Sequence, residues 1–146
     1  MLVLATPGVA AADSYEVYPA TACQVVSGVA QYTNDGAVAN GSTSSWLTVS
    51  CPVVRPVYNG SFGDAYFEYN DNSTSNISCT LRSEAELCTS YFSSTLTSNV
   101  DNSSYYQFYY SGMSDYNHGS VHFLCSIPPW NTGQSYLVQY NVSWLF

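Results

Sequence analysis

"SVHFLCSI", residues 120–127, is the stretch whose reading decides the fold. Val121, Phe123, Cys125 and Ile127 recur at every second position, with Ser120, His122, Leu124 and Ser126 between them. Successive side chains of a strand point to opposite faces, so a period of two means a β-strand with one buried face. A helix would instead place its apolar residues three and four apart. The same period runs through the rest of the chain. In "NISCTLR" (76–82) Ile77, Cys79 and Leu81 share a face, and Asn76, Ser78 and Thr80 share the other. In "WLTVSCPVV" (46–54) Leu47, Val49, Cys51 and Val53 do so. Near the end of the sequence Tyr136, Val138, Tyr140, Val142 and Trp144 form one bulky face, with Asn141 opposite.

Extending this reading predicts strands at Glu16–Pro19, Gln24–Tyr32, Ser45–Val54, Asp64–Tyr69, Asn76–Arg82, Phe92–Thr97, Ser104–Tyr110, Ser120–Ile127 and Ser135–Leu145. Clusters such as "NDGAVANGS", "YNGSFGD", "YNDNSTSN" and "NTGQS" separate them as turns. Only "SEAELC" (83–88) has helical propensity, and it is too short for more than one turn. Many short strands without amphipathic helices indicate an all-β fold, an Ig-like or jelly-roll antiparallel β-sandwich. Residues 15–146 form its single domain, and residues 1–14 an extended N-terminal segment.

The 146 residues carry ten carboxylates against two arginines, Arg55 and Arg82, and no lysine, for a net charge of −8. Nucleic acids and anionic membrane surfaces need basic patches, so neither is an expected partner. No run approaches the ~20 apolar residues of a membrane-spanning helix. Charged residues make up 8% of the chain, well below the roughly 25% of an ordinary domain. Ser, Thr and Asn take their place, and six Asn-x-Ser/Thr sequons occur, at Asn40, Asn59, Asn72, Asn76, Asn102 and Asn141. Chance in a chain this rich in Ser and Thr gives about 2.5. Glycans on these asparagines would supply the hydration that charge does not, which places the protein outside the cell.

Five cysteines fit the same compartment. Two bonds with one thiol left over allow fifteen arrangements. Parity favours Cys79–Cys125, since both sit mid-strand on core faces, as an inter-sheet bridge would require. Cys23–Cys51 is then the natural second bond, and a Cys79–Cys88 hairpin bond is the main competitor.

"YPATACQ", "WLTVSCPVVRPV", "ISCTLRS" and "GSVHFLCSIPP…SYLVQYNV" together resemble a family of small secreted bacterial proteins of unknown function. Cys-Pro-x-x-Arg (51–55) and Cys-x-Ile-Pro (125–128) carry the resemblance, which spans roughly residues 15–142. It implies an Ig-type or jelly-roll sandwich with Cys23–Cys51 and Cys79–Cys125 paired; Cys88 departs from the pattern. A looser likeness is to subunits of glycosylated extracellular filaments joined by donor strands.

Catalytic signatures are missing: no Gly-x-Ser-x-Gly, no His-Glu-x-x-His, no phosphate-binding glycine loop. The expectation is a protein that is not an enzyme and holds no cofactor. Asp115, His118 and His122 are the best metal candidates, yet the two histidines lie about 13 Å apart at strand rise. Asn70, Asp71 and Asn72, with Asp64 and Glu68 nearby, could present oxygens to calcium at Asp71, although an Asx-rich turn explains them as well. Trp46, Trp130 and the tyrosines of "SSYYQFYYSG" (103–112) are candidate platforms for stacking sugars. In that run Tyr105, Gln107 and Tyr109 share one face while Tyr106, Phe108 and Tyr110 share the other, so both faces are aromatic.

Natural sheets blunt their edges with lysine, and this chain has none. Residues 2–12 are apolar and extended, with Leu2 and Leu4 on one face and Val3 and Ala5 on the other, and Val9 beyond Pro7 and Gly8. Such a segment suits insertion into a neighbouring copy, a head-to-tail arrangement that makes filaments. Two functions follow as expectations. The first is a subunit of an extracellular glycosylated homopolymer that donates Leu2, Val3, Leu4, Ala5 and Val9; the second is a secreted carbohydrate-binding module. "MLVLATPGVAAAD" also ends in a fair signal-peptidase site, though it lacks a basic start.

Overall fold

The computed structural model describes residues 14–55, 61–85, 91–99, 105–112 and 119–145. The expected donor residues Leu2, Val3, Leu4, Ala5 and Val9, the sequons at Asn59 and Asn102, and Cys88, Asp115 and His118 lie outside them. Eleven strands are described: β1 (Ser14–Pro19), β2 (Gln24–Ser27), β3 (Ala30–Tyr32), β4 (Val38–Asn40), β5 (Leu47–Val53), β6 (Ser61–Asn70), β7 (Ser78–Glu84), β8 (Tyr91–Thr97), β9 (Tyr105–Ser111), β10 (Ser120–Ile127) and β11 (Tyr136–Leu145). They form two antiparallel sheets packed as a β-sandwich. One is five-stranded, in the order β2-β5-β10-β7-β8. The other is six-stranded, in the order β3-β4-β11-β6-β9, and β1 also pairs with β11. Along β11, β4 takes the Tyr136–Leu137 end and β1 takes Gln139 to Trp144, so the two short strands follow one another on the same side.

Parity places the core. Leu47, Val49 and Cys51 of β5, Cys79 and Leu81 of β7, and Val121, Phe123, Cys125 and Ile127 of β10 are all buried, as the alternation requires. Phe67 of β6 stacks on Tyr140 of β11 at 5.2 Å and meets Phe123 edge-on at 5.1 Å across the sandwich. Two buried tyrosines cross between the sheets: the Tyr110 hydroxyl donates to Cys79 O and the Tyr140 hydroxyl to Pro52 O, both at 2.7 Å. A tyrosine-rich core is therefore no contradiction, because each ring is buried with its one polar atom satisfied. Burial pushes both phenols well above their usual range.

Several expectations are corrected. The single strand expected over Gln24–Tyr32 is two, β2 and β3, in different sheets. The chain crosses at Gly28, whose φ of +92° and close approach to Trp46 O leave no room for a Cβ. Residues 38–40, taken within a turn cluster, form β4, because Val38 and Ala39 are buried against β11. β11 does not alternate throughout: a bulge between Leu137 and Gln139 turns Leu137 inward, so the core face is Leu137, Tyr140, Val142 and Trp144. Ser83 and Glu84, expected in a helical turn, continue β7.

Cys23–Cys51 and Cys79–Cys125 are disulfides, with Cα atoms 4.0 and 4.1 Å apart. The second is not an inter-sheet bridge. Cys79 and Cys125 are register partners on β7 and β10, neighbours in one sheet. Parity reports which face a cysteine occupies, and neighbours on one face satisfy it as well as residues from opposed sheets.

Candidate functional site on the outer face of the six-stranded sheet

Four strands set this face side by side: β1, β11, β6 and β9. Register aligns Val17, Asn141, Tyr66 and Tyr109 in one row, and Pro19, Gln139, Glu68 and Gln107 in the next. All lie on the side opposite the core, since Ala65, Phe67, Phe108, Tyr110, Tyr140 and Val142 face inward. Tyr66 and Tyr109 sit ring to ring, with centroids 4.8 Å apart and planes tilted by 35°. Tyr109 is 48% exposed and Tyr15, at the β1 end, is 61% exposed. Tyr15, Tyr66, Glu68, Gln107, Gln139 and Asn141 line a shallow depression of about 380 Å³.

The polar groups there are ordered by one another. Gln107 Nε2 donates to Glu68 Oε1 at 2.8 Å and Gln139 Nε2 to Glu68 Oε2 at 3.0 Å, so one carboxylate is clasped from both neighbouring strands. Each glutamine keeps its Oε1 as an acceptor. The Asp64 carboxylate, which accepts a hydrogen bond from the Tyr109 hydroxyl, raises that phenol above its ordinary value. Asn141 lies at the floor, 4% exposed, and its Oδ1 has no hydrogen-bond partner. Aromatic faces beside fixed amides and a carboxylate suit a ligand with apolar faces and many hydroxyls.

"SSYYQFYYSG" is thereby resolved. Phe108 and Tyr110 belong to the core, Gln107 and Tyr109 to the outer face, and Tyr106 sits near Tyr69 with centroids 6.2 Å apart. Trp46 and Trp130, 47% and 46% exposed, lie elsewhere: one precedes β5 and the other follows β10, at one end of the five-stranded sheet. Tyr66, Glu68 and Gln139 were missed as surface residues of one site, although their outward parity was readable; which strands are neighbours was not.

The other expected sites take different roles. Asp71, 1% exposed, accepts hydrogen bonds from the Ser135 and Ser98 hydroxyls and from the backbone N–H groups of Ser73 and Ile77. The carboxylate organises the 71–77 loop as an Asx turn. No cluster of three metal-ligating side chains occurs among the described residues. His122 is partly buried, which lowers its pKa, and Arg82 beside it acts in the same direction while Glu84 opposes. Arg82 pairs with Glu84 at 3.8 Å, and Arg55 lies over the Trp144 ring at 4.9 Å.

Of the sequon asparagines described, Asn76 is exposed. Asn72 Nδ2 donates to Gln134 O at 3.0 Å. Asn40 is 1% exposed, with Nδ2 shared among Ser45 O, Ile127 O and Pro128 O at 2.7 to 3.1 Å and Oδ1 accepting from Ser42 N. A glycan on that nitrogen is incompatible with this packing, so the expectation at Asn40 gives way to a structural asparagine joining β4 to the ends of β5 and β10. Asn141 has the outward parity expected of a sequon but is enclosed at the floor of the depression.

Solved carbohydrate-binding modules share this fold. The C-terminal family 6 carbohydrate-binding module of the laminarinase LamC from Zobellia galactanivorans superposes with a TM-score of 0.56 at 10% identity, over 89% of this chain and 99% of the module. CBM86, a low-affinity xylan-binding module from Roseburia intestinalis, gives 0.51 at 13% identity, over 90% of this chain and 96% of the module. A family two carbohydrate esterase from Cellvibrio japonicus is matched at 11% identity with a TM-score of 0.48 over 94% of this chain, which spans 36% of that longer chain. No protein family and no curated protein sequence matches the chain.

Proposed function

We propose that this chain is an extracellular carbohydrate-binding module, non-catalytic, that takes a glycan on the outer face of its six-stranded sheet. The Tyr66–Tyr109 pair beside the Glu68 carboxylate clasped by Gln107 and Gln139 carries the reading. Pyranose rings present apolar faces that stack on aromatic side chains and hydroxyls that pair with amides and carboxylates. Two disulfides fit an oxidising compartment, and modules of the same fold bind polysaccharides. The filament reading takes second place. Its donor residues lie outside the described residues, and β1, which follows them, pairs with the chain's own β11.

Affinity electrophoresis in gels containing xylan or a mixed-linkage β-glucan tests the proposal. Retarded migration is expected, and Tyr66→Ala and Tyr109→Ala should each weaken binding about tenfold through the lost stacking surface. Trp130→Ala should leave binding unchanged. Loss of binding in Trp130→Ala alone would move the site to the tryptophan end of the sandwich.

A further inference from the structure

We infer that the outer-face site selects uncharged glycans over acidic ones; this rests on the proposed glycan-binding function. Among the described residues, the charge around the depression is of one sign. Glu68 lines it, and Asp64 stands beside it at the Tyr109 hydroxyl. The two arginines of the chain are placed elsewhere: Arg82 on β7 in the opposite sheet with Glu84, and Arg55 against Trp144, whose ring is buried in the core. A uronate or sulfate ester arriving here would meet carboxylates with no cation facing it among the described residues, an arrangement that costs affinity for any anion.

Hydrogen-bond capacity points the same way. Gln107 and Gln139 each direct one Nε2 hydrogen to Glu68, which leaves their Oε1 atoms and the remaining lone pairs of the carboxylate as acceptors, against one further Nε2 hydrogen on each glutamine. A surface with surplus acceptors needs a ligand that donates. Neutral sugars donate from every hydroxyl, whereas a carboxylate or sulfate group only accepts.

The test measures the intact chain against neutral and acidic polysaccharides side by side: xylan and β-glucan against polygalacturonate and alginate, at about 0.15 M salt to screen long-range repulsion. Retardation by a neutral polysaccharide and none by the acidic pair is expected. Gln107→Ala should weaken neutral binding about tenfold, and Gln139→Ala provides a second variant should the first fold poorly. Glu68→Gln should raise affinity for the acidic pair relative to the neutral one. Equal retardation by both classes, or acidic binding that exceeds neutral, overturns the selectivity while leaving the glycan-binding reading intact. Retardation by neither class overturns that reading and the selectivity with it.

Discussion

On the outer face of the five-stranded sheet most outward positions are short hydroxyls: Thr48 and Ser50 on β5, Ser78 and Thr80 on β7, Ser126 on β10, with Pro52, Leu124, His122 and the Arg82–Glu84 pair beyond them. Thr80 and Thr95 meet across β7 and β8 at 2.8 Å. On the six-stranded sheet the corresponding positions are Tyr66, Glu68, Gln107, Tyr109, Gln139 and Asn141. Both faces obey the same alternation, and both are polar enough to face water. They differ in reach: hydroxyl stubs stay hydrated one by one, whereas long amides and rings touch their neighbours across strands and hold a shaped surface. The Tyr66–Tyr109 pair gives the six-stranded face an exposed aromatic surface, a feature that suits contact.

The disulfides belong to the plain sheet, one tying Cys23, just before β2, to β5 and the other sewing β7 to β10. Replacing Cys79 and Cys125 together with serine should therefore give the largest effect in the molecule. It should cost about 4 kcal/mol, since the bond closes a 46-residue separation in the unfolded chain. Urea unfolding measures that loss. The folded fraction should keep its glycan affinity, because the six-stranded face contains neither disulfide; a large drop in affinity would break the separation of the two faces.

A second, pH-dependent effect falls on both sheets together. Tyr110 and Tyr140 sit on the six-stranded sheet and donate to carbonyls of the five-stranded one. Burial raises both phenols above the value of about 10 that they have in an unfolded chain. A raised folded value favours the neutral form, so this contribution is full below about pH 10 and is lost as pH rises above it. Tyr18, pushed up to about 12 chiefly by burial and then by its hydrogen bond to Glu16, adds to the same trend. Thermal melts from pH 8 to 12, followed with tyrosinate absorbance, should show a single transition falling together for both sheets. Two separate transitions would mean that the tyrosines do not couple them.

The smallest effect is expected on the plain face. Thr80→Ala should change stability and glycan affinity by less than about 0.5 kcal/mol, as an exposed hydroxyl pair contributes little. Set beside Tyr66→Ala, it measures how far one outer face exceeds the other in function.

Much of this arrangement was legible residue by residue. The alternation in "SVHFLCSI" and "NISCTLR" assigned core and surface correctly, because a strand's two faces are fixed by its own backbone. Tyr109 and Gln107 were placed on one face by the same rule. The reading failed where a neighbour intervenes: at the bulge before Gln139, at the sheet crossing of Gly28, and in the β4 residues that only burial against β11 makes into a strand. It failed too at Asn40, whose sequon looks like a surface signal while its amide is held by three carbonyls.

By itself the sequence determined which side chains share a face, that the chain is all-β, and that its cysteines lie where bridges can form. Period and covalent geometry are local, and they hold wherever no bulge interrupts a strand. Only the tertiary structure decided that Cys79 and Cys125 are neighbours in one sheet, and that Glu68 lies between two glutamines from strands about forty and seventy residues away along the chain. Strand order is set by long-range packing among sheets, and the site exists where four strands distant in sequence align their outward residues in register.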